Sequence, residues 1–261
     1  MNDLIEIYES MIQEPKEEVI LNRKLSGEPT IYDSILTPQD GVNQAFFGHN
    51  LFQADEEGMK LFISKFQGVF EKYPSLKLGF PNVLPVIFYA TIYFFGEDNN
   101  HTQRKSLYKI KKDDEGGIIG NAAKLSDFMG KGCAECSEKA VAVHNLLMIL
   151  AEMGVLKQEI NGNVQVFHPS VVLSKIQGEP HAFNMLRDPE SKKTFFVDNH
   201  YWVNNENGNS ICAIYSLTED EYQRFMQGKK ISPRLVTPGT QGVKNEKVVY
   251  GALDDEVEPD L

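Results

Sequence analysis

Gly132-Cys133-Ala134-Glu135-Cys136-Ser137-Glu138-Lys139-Ala140 is the stretch on which the fold turns. A Gly-rich loop, Gly130-Lys131-Gly132, runs into a long helical pattern. Cys136, Ala140, Val143, Leu147 and Leu150 are spaced 4, 3, 4 and 3, the stripe of a helix that buries one face. Gly154 is its expected stop. A thiol in the first turn of such a helix sits where unpaired N–H groups and the helix dipole stabilise a thiolate. Cys133 and Cys136 both lie near that end, after a loop that permits close approach of a substrate. Glu135 and Glu138 work against the thiolate, so a nearby imidazole has to outweigh them.

Two later segments supply the partners: Pro180-His181-Ala182-Phe183-Asn184 and Phe196-Val197-Asp198-Asn199. Between them, Asp188-Pro189-Glu190-Ser191 has the residues of a type I turn, with Asp first and Pro second. Apolar-rich runs at 182–186 and 194–197 flank it, so the two segments read as one β-hairpin. With the turn centred between Pro189 and Glu190, His181 stands directly opposite Asp198, their Cβ atoms about 4.5–5.5 Å apart. A bulge would slip the register by one and bring Asn199 or Val197 across from His181. Asn199 would then orient the ring as a neutral partner. The chain order Cys, His, Asp is that of a nucleophile, a general base and a residue that orients the base.

Each of these residues has an ordinary reading when taken singly. A cysteine on an apolar helix stripe is a small core residue, His181 a polar residue at a strand start, and Asp198 a turn or cap residue. Their combination points to chemistry. The Cys133-x-x-Cys136 spacing also fits a redox pair or half of a zinc site, but the chain has no second Cys-x-x-Cys and three cysteines in all.

The chain has 261 residues, 41% of them hydrophobic and 24% charged, and this is the balance of a globular protein with a packed core. A net charge of −11 argues against a nucleic-acid surface. Three cysteines point to reduced thiols in a cytosol. The start, Met1-Asn2-Asp3-Leu4-Ile5-Glu6, lacks a basic n-region, so no secretory signal is read and a cytoplasmic location is expected. Export by a specialised injection system would leave no mark that these rules detect. The most apolar run, 86–95, falls short of the roughly 20 residues a membrane helix needs; it reads as a buried core helix, and no membrane partner is expected.

Along the chain, Leu4, Ile5, Tyr8, Met11 and Ile12 predict an amphipathic helix within residues 1–25. Further helices are predicted at 57–73, ended by Pro74, and at 85–96. Residues 164–167, 171–173 and 211–215 read as strands, and Thr218 with Glu221 makes a capping box. The expected fold class is α+β: a mostly helical region over 1–115, then at 116–240 a core with the cysteine helix packed on an antiparallel sheet. Residues 241–261 read as a polar, acidic, mobile tail.

Residues 120–203 resemble the transglutaminase-like superfamily, within the papain-like cysteine enzymes. Cys136-Ser137-Glu138-Lys139-Ala140 resembles its Cys-x-(Asp/Glu)-x-(Ala/Ser) motif, followed by an apolar helix ending at Gly154-Val155. His181-Ala182-Phe183-Asn184 resembles the second motif and Phe195-Phe196-Val197-Asp198 the third. Cys133-Ala134-Glu135-Cys136-Ser137 also satisfies the first, so Cys133 stands as the alternative nucleophile to Cys136. Where relatives continue Asp-Pro-Thr, this chain has Asp198-Asn199-His200. The resemblance implies acyl transfer at a carboxamide on a protein or peptide, through Cys136, His181 and Asp198, with no cofactor and no metal. An oxyanion hole is then required. Its candidate donors are the backbone N–H of Cys136, with Asn121, Ser126 or the Lys131 and Gly132 amides as the second. Gly132, Tyr201 and Trp202 are candidates for the substrate cleft, although two aromatics there also fit a plain core. The alternative is an inactive domain of the same kind used as an interaction module.

Overall fold

Residues 136–152 form the buried central helix of the molecule, and the other elements are arranged around it. The computed structural model describes residues 4–13, 29–32, 44–47, 50–73, 78–96, 101–112, 115–116, 118–204, 210–237 and 248–251. In chain order the elements begin with α1 (Leu4–Gln13), β1 (Thr30–Tyr32), β2 (Gln44–Phe47), β3 (Asn50–Gln53), α2 (Glu56–Lys72) and α3 (Val83–Phe95). They continue with α4 (His101–Leu107), β4 (Lys109–Lys112), β5 (Ile118–Lys124), a 3-10 turn (Leu125–Phe128) and α5 (Cys136–Glu152). The last group is β6 (Lys157–Ile160), β7 (Asn163–Val166), β8 (His168–Ile176), β9 (Glu179–Arg187), β10 (Thr194–Asn204), β11 (Ser210–Leu217), α6 (Glu219–Met226) and β12 (Arg234–Leu235). No described helix is long and apolar enough to cross a membrane.

The fold is mixed α+β. A six-stranded antiparallel sheet runs β1-β8-β9-β10-β11-β12. Side chains alternate across it, as the pleat requires. Phe183, Met185, Phe196, Ala213 and Tyr215 face a core closed by Phe225 of α6, Ile231 and Tyr250. Leu186, Val197, Cys212 and Ile214 face the main core with α2, α3 and α5. Helix α5 is therefore apolar nearly all round, from Ala140 to Leu150. It lies between sheet and helices, not on a surface, and a helix enclosed on all sides needs that composition.

Helix ends place the cysteine. The last carbonyls of a helix lack partners within it. Those of Phe94 and Phe95 in α3 accept the amides of Gly130 and Gly132, each at 2.7 Å. A Cβ on Gly96, which has φ +84°, would come within 3.2 Å of the Gly132 nitrogen. The Gly-rich loop is thus fastened to α3, and α5 starts where it leaves. Gly154, at φ +73°, ends α5 as the spacing predicts.

Helices dominate the described part of the first half, but it also holds strands that the sequence reading did not mark. Gln44–Phe47, Asn50–Gln53, Lys109–Lys112 and Ile118–Lys124 build a four-stranded sheet, β2-β3-β5-β4, with β3 and β5 parallel. Its strands are short and β4 reads Lys-Ile-Lys-Lys, so periodicity and apolar content did not mark them. The boundary at 115/116 runs through the β4–β5 ladder, where Ile110 pairs with Asn121 and Lys112 with Ile118. The main core takes residues from Leu4 to Ile214, so the two regions share one interior.

The predicted helix within 1–25 is described over Leu4–Gln13; 14–28 lie outside the described residues. The tail reading needs a correction as well. Residues 241–247 and 252–261 lie outside the described residues, but 248–251 return to the body. Tyr250 bridges Ile176 and Ile231 and is fully buried.

Candidate active site

The hairpin register differs from the predicted one by two residues. Arg187 pairs with Thr194 and Asn184 with Val197. The turn forms at Asp188, whose carboxylate accepts the amides of Glu190 at 3.1 Å and Ser191 at 3.3 Å. Lys192 then takes a left-handed φ of +60°, and the Asp188 amide closes the loop on the Lys193 carbonyl at 3.0 Å. Two extra residues enter the loop, so His181 and Asp198 are diagonal, not opposite. An even shift keeps every side chain on its own face, whereas a shift of one would have reversed them. The β9–β10 ladder ends at Asn184 and Val197, and His181 and Asp198 meet in the opening beyond it.

There the His181 Nε2 lies 2.7 Å from Asp198 Oδ2. Cys136 is close enough to the ring to favour its charged form, after Asp198. His181 is 5% exposed and Asp198 wholly buried. Burial works against a charged ring. The Asp198 carboxylate, by its charge and its hydrogen bond, and Cys136 outweigh it and push His181 up to about 10. The ring thus favours its imidazolium form beside the thiol.

Cys136 is the first residue of α5 and partly exposed. It packs against the cluster of Ala140, Val171 and Ala182. Cys133 is 1% exposed and belongs to the main core. Cys212 is buried, and burial pushes its thiol up to about 12. Of the three thiols, the one beside His181 is also the one with access to solvent. Asn184, from the second motif, donates its Nδ2 to the Ala140 carbonyl at 3.0 Å and ties β9 to the second turn of α5.

Asn199 does not reach the ring. It follows Asp198 on β10 and is buried, but neither amide atom has a hydrogen-bond partner among the described residues. The loop amides are engaged as well: Gly132 with Phe95 and Lys131 with Phe128 at 3.1 Å. They are not free oxyanion donors, and Gly132 is buried, so it forms the base of the helix start and not an open cleft. The Ser126 amide donates to Asp55 at 2.9 Å, and Asn121 pairs with Asn50 and Ile110 within the four-stranded sheet. The amide of Cys136 has no intrahelical acceptor, as for any residue opening a helix. Tyr201 and Trp202 lie on β10 past an irregularity between Asp198 and Trp202; their side chains are outside what is described, and so is the cleft role expected of them.

Three residues at the site escaped the sequence reading. Arg104 of α4 spans both glutamates of the cysteine turn, with Nη2 2.6 Å from Glu138 Oε1 and Nη1 3.2 Å from Glu135 Oε2. The Tyr108 hydroxyl donates to Glu138 at 2.5 Å, and the Ser137 hydroxyl at 2.9 Å. Glu138, fully buried, in turn accepts the Glu135 amide at 3.0 Å and closes the helix start. The two carboxylates that oppose a thiolate are thereby compensated by a guanidinium. Residues 104–114 are highly charged, and no local pattern marks which of the basic side chains turns inward. The third is Tyr250, whose hydroxyl donates to Asp198 Oδ2 at 3.2 Å.

A cavity of about 990 Å³ lies at the other end of α5, lined by Met148, Glu152, Ile7, Met11, Tyr222 and Met226 among others; none of Cys136, His181 and Asp198 lines it. Comparison with protein-family models, with curated proteins and with solved structures found no match.

Proposed function

We propose that the chain is a cysteine-dependent acyl-transfer enzyme acting on a carboxamide, of the transglutaminase-like kind that its three motifs resemble. One observation carries the reading: a partly exposed thiol at the start of a buried helix, beside an imidazole whose Nε2 is held at 2.7 Å by a buried carboxylate. That relay is what nucleophilic catalysis by a thiol needs.

The Cys136 thiolate attacks the carbonyl carbon, and the C–N bond breaks as His181 gives a proton to the leaving amine. A thioester and a neutral imidazole remain. His181 then takes a proton from the acceptor as it attacks the thioester, and the thiolate leaves. Water as acceptor gives hydrolysis or deamidation; an amine gives transamidation. Asp198 holds the ring orientation and stabilises the imidazolium at both ends of the cycle. The Cys136 amide at the helix start is the first oxyanion donor.

Labelling with iodoacetamide near neutral pH, read by peptide mass spectrometry, tests the reading. Cys136 is expected to react fast and alone, and to slow in His181→Ala. Equal, slow labelling of Cys133, Cys136 and Cys212 would overturn the enzyme and leave the interaction module.

A further inference from the structure

Residues 248–251 return from beyond the described part of the chain and are held on both sides. The Gln177 amide donates to the Val249 carbonyl at 2.9 Å and the Gly251 amide to the Lys175 carbonyl at 3.0 Å. Ile231 and Tyr250 exchange both backbone hydrogen bonds, at 2.9 and 3.0 Å. Gly251 sits at φ +106°, and a Cβ there would lie 2.5 Å from the Lys229 carbonyl oxygen. Held this way, Tyr250 packs its ring against Phe183, Phe196 and Tyr215, with centroids 5.0, 5.1 and 5.5 Å away. Its hydroxyl arrives at Asp198 Oδ2, the same oxygen that faces His181 Nε2.

We propose that Tyr250 is a positioning residue and the 248–251 segment a clip: the Tyr250 hydroxyl fixes the Asp198 carboxylate so that it can hold the His181 ring toward Cys136. The proposal rests on the catalytic reading above. A carboxylate is free to turn about its Cβ–Cγ bond, and two donors converging on one oxygen remove that freedom. Without Tyr250 the oxygen facing Nε2 is no longer fixed, the imidazolium is held less well, and the thiolate paired with it is less favoured. Release of the segment from the sheet would therefore switch the thiol toward its unreactive form without touching Cys136 or His181. Among the described residues, Cys212 of β11 feels the Asp198 charge, and Glu135 and Glu138, which flank Cys136 in the chain, are both held by Arg104.

The test follows iodoacetamide labelling of Cys136 in the full chain from about pH 4 to about pH 9, the range over which a thiolate nucleophile becomes available. In Tyr250→Phe, which keeps the ring and removes only the hydroxyl, the acid limb of the profile should move up, toward that of Asp198→Asn. The rate near pH 6 should fall about tenfold, the scale of one hydrogen bond to a charged group. Gly251→Ala, which displaces the segment while keeping the tyrosine hydroxyl on the chain, should give the same shift and serves if Tyr250→Phe does not fold. Loss of folding stability alone would leave the limb where it is. If the limb stays in both variants but moves in His181→Ala, the role of Tyr250 is overturned and the dyad stands. If it stays in His181→Ala too, the dyad falls, and the clip with it.

Discussion

Asp198 holds His181 at 2.7 Å although the two are not partners in the sheet. They are diagonal neighbours across a hairpin whose loop is two residues longer than its turn residues imply. Diagonal positions lie roughly 7–8 Å apart at the backbone, a gap that an imidazole and a carboxylate together span. A directly opposed pair would be closer at the backbone, and the ring would have less room to turn toward Cys136.

Asp198→Asn should therefore slow Cys136 alkylation strongly, while Asn199→Ala should leave it almost unchanged, since Asn199 makes no hydrogen bond to the ring. An unassisted thiol with pKa near 8.5 is thiolate only to a fraction of a per cent near pH 6, so the expected loss for Asp198→Asn there is up to about a hundredfold. Rates for the two variants side by side decide which residue orients the imidazole.

Folding stability should fall as the solution becomes alkaline. His181 goes from an ordinary value of 6.5 to about 10 in the folded chain. A raised folded-state pKa means that the contribution of the protonated ring is complete below about 6.5 and is lost as pH rises toward about 10. Urea unfolding across that range should show a decline in the parent chain and a flatter profile in His181→Gln. An equal decline in both would show that some other group carries it.

Arg104→Met should destabilise the fold by about 3–5 kcal/mol, because it leaves the buried Glu138 carboxylate without its cation. Arg104→Lys restores the charge but not the two-pronged contact through Nε and Nη2, and should fall between the two. Chemical denaturation of the three chains measures this. A loss below about 1 kcal/mol in Arg104→Met, the scale of a surface pair, would contradict the buried assignment.

Gly58→Ala should cost about 1–3 kcal/mol, the usual scale of overpacking. A Cβ there would lie 2.6 Å from the Ser126 nitrogen and 2.8 Å from Leu125 Cβ and Asp55 Oδ1. Gly68→Ala, on the same helix with nothing within 4 Å, is the control and should be neutral or stabilising. Thermal melts of the pair test whether the start of α2 is docked on the 3-10 turn.

What the sequence determined by itself is the local part of this protein. The 4-3-4-3 spacing and Gly154 define α5, Pro74 stops the pattern of α2, Pro85 marks the first turn of α3, and the Asp188-Pro189 turn divides β9 from β10. The order of Cys136, His181 and Asp198 could be read for the same reason: each lies in a segment whose pattern repeats within a few residues. Tertiary structure decided the rest. The hairpin register depended on how the Asp188 carboxylate and Lys192 close the loop, and turn residues alone do not state that length. The separation of Cys136 from Cys133 depended on which of them the core enclosed. Arg104 reaches Glu138 across 34 residues and Tyr250 reaches Asp198 across 52. Contacts of that range leave no period in the chain, because they are set by how whole elements pack, and packing is a property of the folded interior.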